Sequence, residues 1–324
     1  MDLVVSGSIA FDHLMSFPGH FKDHLLPDNL DSISISFLAD SKTLHQGGTA
    51  PNIAFSHAML GGNASVLGTV GRDFEQYRIS LEEGGVNTDN IVEIQDEFTA
   101  SFYVTTDLDN SQISFFYPGA MSYSSKLKIK DLERKPDLVV ISPDDPVTMN
   151  MRVRECKSLQ IPYFYDPSQQ IVRLDSDDLY QGVLGSKFIM LNAYEFSLIN
   201  DKLGMSERDI VDQDTLLVVT NGKHGLSIWS PEGHLKIESY PEEIVRDPTG
   251  AGDAFRGGFL RAYALDLSLE LCGKVGALCA TYCVENVGTQ NHYYTIRQFV
   301  DRFRVYFDDA GLLDSLLNDS EEVG

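Results

Sequence analysis

Short apolar runs recur along this chain with room for a helix between them, and that recurrence limits the fold more than any other feature. Leu3-Val4-Val5, Ala64-Ser65-Val66-Leu67-Gly68, Leu138-Val139-Val140-Ile141, Tyr163-Phe164-Tyr165, Phe188-Ile189-Met190-Leu191 and Leu216-Leu217-Val218-Val219 each read as a strand buried on both faces. Strand and helix patterns alternate, so the expected class is α/β: three layers, with a central, mostly parallel sheet flanked by helices. A late hairpin is expected from Gly225–Trp229 and Leu235–Tyr240 across Pro231-Glu232-Gly233, followed by helices over about 269–286 and 295–307. The acidic tail Asn318-Asp319-Ser320-Glu321-Glu322 reads as frayed.

The alternation breaks between Ile91 and Phe116. Ile91-Val92-Glu93-Ile94, Ala100 to Thr105 and Gln112 to Phe116 read as short strands, the last two joined by Leu108-Asp109-Asn110. Ser32-Ile33-Ser34-Ile35-Ser36 alternates strictly and reads as a half-exposed strand. Together these segments predict a small β-sheet lid, formed by about 12–47 and 91–118, on a single domain spanning 1–324. Phe102, Phe115, Phe116 and Tyr117 cluster there, as lid core or as a surface for a flat base.

With 48 acidic against 25 basic residues the net charge is −23, which argues against nucleic acid or an anionic membrane as partner. A polyanionic substrate would have to be held by local groups against that field. The start, Met1-Asp2-Leu3-Val4-Val5-Ser6, has no basic n-region, and no apolar run approaches membrane-spanning length. The four cysteines fit a reduced, cytoplasmic setting, and Cys272, Cys279 and Cys283 recur at helical spacing as core residues.

Polar clusters follow the expected strands. Ser6-Gly7-Ser8 and Asp12 follow the first; Asp166-Pro167-Ser168-Gln169-Gln170, with Arg173 a turn on, follow Tyr165. Asn192-Ala193-Tyr194-Glu195 follow Leu191, and Thr220-Asn221-Gly222-Lys223-His224-Gly225 follow Val219. Each alone reads as a loop or cap. Brought to one edge of a parallel sheet, they read as a substrate cleft.

The chemistry concentrates in Asp247-Pro248-Thr249-Gly250-Ala251-Gly252-Asp253, which runs into the helical pattern Ala254, Phe255, Phe259, Ala262, Tyr263. Gly250 to Gly252 fall at a helix N-terminus, whose unpaired N–H groups attract anions. Asp253 puts a carboxylate among them, a position suited to taking a proton from a hydroxyl that attacks phosphorus. The competing readings are a plain helix cap and a dinucleotide fingerprint, the latter spoiled by Phe255 where a third Gly or Ala belongs. Gly-x4-Gly-Lys-Ser/Thr occurs nowhere in the chain.

The seven-residue string resembles the C-terminal signature of the PfkB (ribokinase-like) family of sugar and nucleoside kinases. Gly47-Gly48-Thr49-Ala50-Pro51-Asn52-Ile53-Ala54 resembles its N-terminal signature. The resemblance covers nearly the whole chain and implies a ribokinase-like fold with ATP and Mg²⁺. It makes Asp253 the general base, with Gly250, Ala251 and Gly252 around the transferred phosphoryl. It implies that Glu195, in an Asn-x-x-Glu element with Asn192, organises Mg²⁺. It further implies that Thr220, Asn221, Gly222, Lys223, His224 and Gly225 form the nucleotide loop. Asp247 and Thr249 fall where some members hold K⁺, although Pro248 stands where those members often have Thr.

Within the family, Gly7 to Met15, Ser34 to Leu38, Phe116 to Met121, Asp166 to Gln170 and Gly288-Thr289-Gln290 resemble actinobacterial adenosine kinases. That likeness implies adenosine as acceptor, with Ser8, Asp12, Ser36, Gly48 and Asn52 on the ribose. It implies that Phe102 and Phe116 sandwich the adenine and that Gln169, Gln170 and Arg173 close the acceptor site. A homodimer through the lid is a further expectation. A sugar kinase, another purine nucleoside kinase and a non-catalytic nucleoside-binding protein remain as alternatives; the intact Asp253 and Glu195 count against the last.

Overall fold

In the computed structural model the described residues are 1–25 and 34–321. The chain opens with β1 (Leu3–Ser6), leaves for β2 (Ala10–Ser16) and β3 (Ser41–Gly47), and returns through α1 (Thr49–Ala58) to β4 (Ala64–Gly71). Helix α2 (Glu75–Glu83) leads to β5 (Ile91–Ile94), and β6 (Ala100–Thr106) and β7 (Gln112–Tyr117) form a hairpin. Then come β8 (Leu138–Ile141), α3 (Pro146–Leu159), β9 (Tyr163–Tyr165), α4 (Ser176–Val183), β10 (Phe188–Asn192), α5 (Ala193–Leu203), α6 (Glu207–Val211) and β11 (Leu216–Thr220). The hairpin β12 (Leu226–Ser230) and β13 (Gly233–Ile237) precedes α7 (Ala251–Ala264), α8 (Leu269–Val284), α9 (Ile296–Tyr306) and α10 (Asp314–Glu321).

The central sheet runs β13-β12-β11-β10-β9-β8-β1-β4-β5. It is parallel from β11 to β5, with β12 and β13 antiparallel at one edge. Successive residues of one strand enter opposite layers, because side chains alternate across a pleated sheet. Leu3 and Val5 of β1, Leu138 and Val140 of β8, and Phe188 and Met190 of β10 pack under α1, α2, α7, α8 and α9. Val4, Val139, Ile141, Ile189 and Leu191 pack under α3, α4, α5 and α6. Burial on both faces is what made these runs apolar. All four cysteines are free and buried, and Cys272, Cys279 and Cys283 pack in the core as their helical spacing implied. Among the described residues no helix is long and apolar enough to cross a membrane.

A smaller sheet, ordered β3-β2-β6-β7, stands apart from the central one. Two strand assignments made from the sequence change here. Ile91–Ile94 belongs to the central sheet, paired in parallel with β4, because it follows α2 as an ordinary β-α-β return. Ser34–Ala39 forms no strand, although exposure still alternates along it, and residues 32 and 33 lie outside the described residues. The strand that lines β2 is the next segment, Ser41–Gly47, paired antiparallel from Ala10↔Gly47 to Ser16↔Ser41. Helix α10 continues to Glu321, further into the acidic tail than its composition suggested.

The joint between the sheets is Gly47-Gly48. Gly48 has φ +96°, and a Cβ there would lie 2.4 Å from the Ser8 carbonyl oxygen; one on Gly47 would lie 2.5 Å from the Asp12 carboxylate. Only glycine accommodates both the dihedral and the approach.

Candidate active site

Asp253 is the third residue of α7, whose N-cap is Gly250 in the left-handed region at φ +79°. The turn before it is tied by Asp247, whose two carboxylate oxygens accept the N–H groups of Thr249 (2.9 Å) and Gly288 (3.1 Å). The first N–H groups of a helix have no acceptor within it, so this end offers donors and partial positive charge to an anion.

Around Asp253 the structure gathers residues from distant parts of the chain. Asn52 Nδ2 donates to Asp253 Oδ2 at 2.9 Å. Arg256, one turn on, lies 3.9 Å from Asp253 Oδ1 and donates at 2.8 Å to Asp166, itself buried at the end of β9. Burial raises the Asp253 pKa to about 6; Arg256 and the Asn52 hydrogen bond oppose that rise, and the nearby Glu195 charge adds to it. The Asp253 side chain keeps 14% of its surface exposed, which leaves the carboxylate open to a reactant.

A second chain of contacts runs behind Asn52. Gln290 Nε2 donates to Asn52 Oδ1 at 2.7 Å and to the Tyr77 hydroxyl at 2.6 Å. Tyr77 donates in turn to the Gly47 carbonyl at 2.8 Å. Arg256, Gln290 and Tyr77 received no role from the sequence. Arg256 shares a helix face with Asp253 at i+3, a spacing that could have flagged it. Gln290 lies in the Gly288-Thr289-Gln290 stretch that carries the resemblance, which assigned it no role, and Tyr77 has no local signature.

The smaller sheet presents one transverse row toward this site. Register aligns His45 with Asp12, Asp12 with Phe102, and Phe102 with Phe116, so all four share a face. Burial raises the Asp12 pKa, His45 lowers it, and Asp247 raises it again, which places Asp12 in the field of the α7 turn. The row is polar at one end and aromatic at the other. Phe102 and Phe116 are direct cross-strand neighbours, with Cβ atoms about 5 Å apart in such pairs. The two residues expected to sandwich a base thus form one aromatic platform at that end of the row.

The remaining sequence candidates lie outside this row. Ser8 Oγ accepts from the Thr49 N–H at 3.3 Å and so serves the N-terminus of α1. Ser36 is exposed on the segment that forms no strand, outside the row. Gln169 is exposed and accepts from the Ser168 hydroxyl, while buried Gln170 accepts from exposed Arg173 at 3.3 Å. Asn192 and Glu195 form a capping box: Asn192 Oδ1 accepts from Glu195 N–H and Glu195 Oε2 from Asn192 N–H, each at 2.8 Å. Glu195 Oε1 also accepts from Ser168 at 3.1 Å.

On the other side of the α7 N-terminus lies a cavity of about 400 Å³. Thr220, Gly222, Lys223 and Gly225 line it together with Ala251 and Gly252, and Leu226, Phe255, Ala277 and Val284 form an apolar wall. Asn221 and His224 point away from it, into a hollow with Trp229 and Lys236. The loop after β11 therefore divides, four of its six candidate residues facing the cavity.

A row for one ligand, a cavity for another and a carboxylate at a helix N-terminus between them fit group transfer. The chain matches the family described as pfkB family carbohydrate kinase over residues 28–296. It belongs to the PfkB family. A nucleoside kinase of Methanothermobacter thermautotrophicus is 33% identical over 312 residues, covering 93% of this chain and 95% of that protein. The structure of the Burkholderia thailandensis nucleoside kinase in complex with inosine superposes with a TM-score of 0.85 at 31% identity, covering 94% of this chain and 97% of that one. The Methanocaldococcus jannaschii nucleoside kinase, described as an archaeal member of the ribokinase family, gives 0.84 at 27% identity, covering 94% and 98%. The PfkB architecture, a large mostly parallel sheet with a smaller sheet beside it, is thus ribokinase-like.

Proposed function

We propose that this PfkB protein transfers the terminal phosphoryl group of ATP to the 5′-hydroxyl of a nucleoside, with adenosine as the acceptor. The observation that carries the reading is the row His45–Asp12–Phe102–Phe116 beside the Asn52–Asp253 pair. A free sugar needs the polar end of that row and has no use for its aromatic end. A nucleoside uses both, the diol on Asp12 and Asn52 and the base across the two rings. The nucleoside kinases among the relatives support this acceptor class.

The nucleotide would place its base against the apolar wall of the 400 Å³ cavity and its phosphates at the N-terminus of α7. Asp253 takes the proton of the attacking hydroxyl, and the N–H groups of Gly250 to Gly252 stabilise charge developing on the phosphoryl group. The smaller sheet covers the reacting atoms and keeps water from competing as acceptor.

Among the described residues no group of three or more His, Cys, Asp or Glu side chains forms a metal cage. Mg²⁺ is commonly held by substrate phosphates with one or two carboxylates, and Glu195, close enough to Asp253 to raise its pKa, is the carboxylate that would hold it. Bound there, Mg²⁺ would neutralise phosphate charge. Asp247 is committed to closing the turn, so removal of K⁺ is expected to change turnover little. A homodimer is part of the same proposal: the opposite face of the smaller sheet exposes Leu44, Tyr103 and Phe115, and light scattering would measure it.

The deciding experiment is ATP consumption against adenosine, inosine, guanosine, cytidine, ribose and fructose 6-phosphate. Preference for adenosine supports the full reading. Preference for inosine or guanosine keeps the nucleoside and discards the base, and a preference for either sugar discards the reading.

A further inference from the structure

We infer that Tyr77 and Gln290 act as positioning residues that set the polarity of the general base, obliging Asn52 to present its NH₂ group, and not its carbonyl, to Asp253. This rests on Asp253 being the base of the proposed transfer.

An amide side chain can present either end, so its orientation must be dictated by its neighbours. Here the dictation can be followed from one fixed point. The Gly47 carbonyl can only accept, so Tyr77, 2.8 Å away, spends its single proton on it. The Tyr77 oxygen must then accept from Gln290 at 2.6 Å, which turns the Gln290 NH₂ inward. The same nitrogen lies 2.7 Å from Asn52, which must answer with Oδ1. The Asn52 NH₂ is thereby aimed at Asp253 Oδ2, 2.9 Å away. Tyr77 and Gln290 are buried, so water does not compete for these bonds.

Reversing the chain would place a carbonyl against the carboxylate, which favours the protonated acid and removes the base. A donated hydrogen bond does the opposite. It also engages Oδ2, leaving Oδ1, which has Arg256 at 3.9 Å but no hydrogen bond, as the lone-pair site for a reacting hydroxyl. The charged and titratable groups around Asp253 are Arg256 on its own helix, Glu195 on α5, Asp166 after β9 and Cys283 on α8; none belongs to this chain of bonds. Gly47 is also the joint of the smaller sheet, so the polarity is anchored where the two sheets meet.

Tyr77→Phe and Gln290→Met test the inference by the pH profile of kcat/KM with the best acceptor found, nucleoside or sugar, alongside thermal melting. The acid limb should move to higher pH by about one unit in both, since a hydrogen bond to the charged form is worth roughly that much. Melting within a few degrees of wild type and an unmoved limb would overturn the inference. So would a loss of rate equal at every pH, because that is what a structural role alone produces. Should neither variant fold, the wild-type protein decides: with [ζ-¹³C]tyrosine, the Tyr77 hydroxyl proton should exchange slowly with D₂O. Fast exchange would show that the proton is not committed to Gly47. An acceptor panel that rejects nucleosides leaves both readouts intact, so failure of the substrate reading is told apart from failure of this one.

Discussion

Phe102 and Phe116 are direct register partners across β6 and β7, and Asp12 lies beside Phe102 on the neighbouring strand β2. Aromatic and acidic groups thus occupy one face in one row. Phe116 is 50% exposed, so its ring is open to a ligand.

That geometry separates binding from folding. Phe116→Ala should leave stability nearly unchanged and weaken nucleoside binding by about 1–3 kcal/mol, the usual worth of stacking one base. Phe102→Ala, from a half-buried site, should cost similar binding and a little stability. The measurement is kcat/KM for adenosine over that for ribose in each variant. A ratio unmoved by either substitution would discard the platform.

Asp253→Asn should lower turnover by roughly 10²–10⁴, the usual contribution of a general base, with folding intact because Asn keeps the shape. In the wild type, burial holds the Asp253 pKa up at about 6, so the base is progressively lost as pH falls through 6. The kcat/KM profile should therefore have an acid limb near that pH, absent from the residual activity of the variant. A wild-type profile flat down to pH 5 would remove Asp253 from the role.

Glu195→Gln isolates charge from structure. Glu195 holds the third position of its helix in a capping box with Asn192, and glutamine serves that box as well as glutamate does. The fold should persist. The Mg²⁺ concentration for half-maximal rate should rise more than KM for the nucleoside, and the Asp253 limb should move to lower pH because a nearby negative charge is gone. A change confined to nucleoside affinity would place Glu195 on the acceptor side instead.

How much of this was legible beforehand follows from which interactions are local. The central strands were readable because burial on both faces leaves no polar position to confuse the pattern, as in Leu138-Val139-Val140-Ile141. The Asn192/Glu195 cap was readable because its partners sit three residues apart, and the α7 turn through its local Asp247–Thr249 bond, although its second tie reaches Gly288. Strand β3, Ser-Lys-Thr-Leu-His-Gln-Gly, was not, since it is exposed over most of its length and carries no apolar alternation. Ile91–Ile94 reads as a strand, but period alone does not name its partner, which is β4 of the central sheet. Within the site, Asn52 meets Asp253 across 201 residues and Tyr77 meets Gln290 across 213, contacts that only the fold creates.

The last prediction concerns stability and Asp144. It lies just past β8, 2% exposed, with Oδ1 accepting the Asp145 N–H at 2.7 Å. Burial pushes its pKa up to about 7, against the lowering influence of the Asp145 N–H and Arg152. An unfolded chain would return it to about 3.9. A folded-state value above the unfolded one means that the folded state binds the proton more tightly. The stabilisation is complete below the unfolded value and is lost as pH rises through 7. Asp253 shifts in the same direction, and the net charge of −23 adds self-repulsion as carboxylates ionise. The melting temperature should therefore be higher at pH 5.5 than at pH 8.5. Asp144→Asn, neutral at both, should flatten that slope and stabilise the protein at pH 8.5 by ~1–3 kcal/mol. If the variant instead melts lower at pH 8.5 with the slope unchanged, ionised Asp144 is being held by Arg152, and its burial does not govern the pH response.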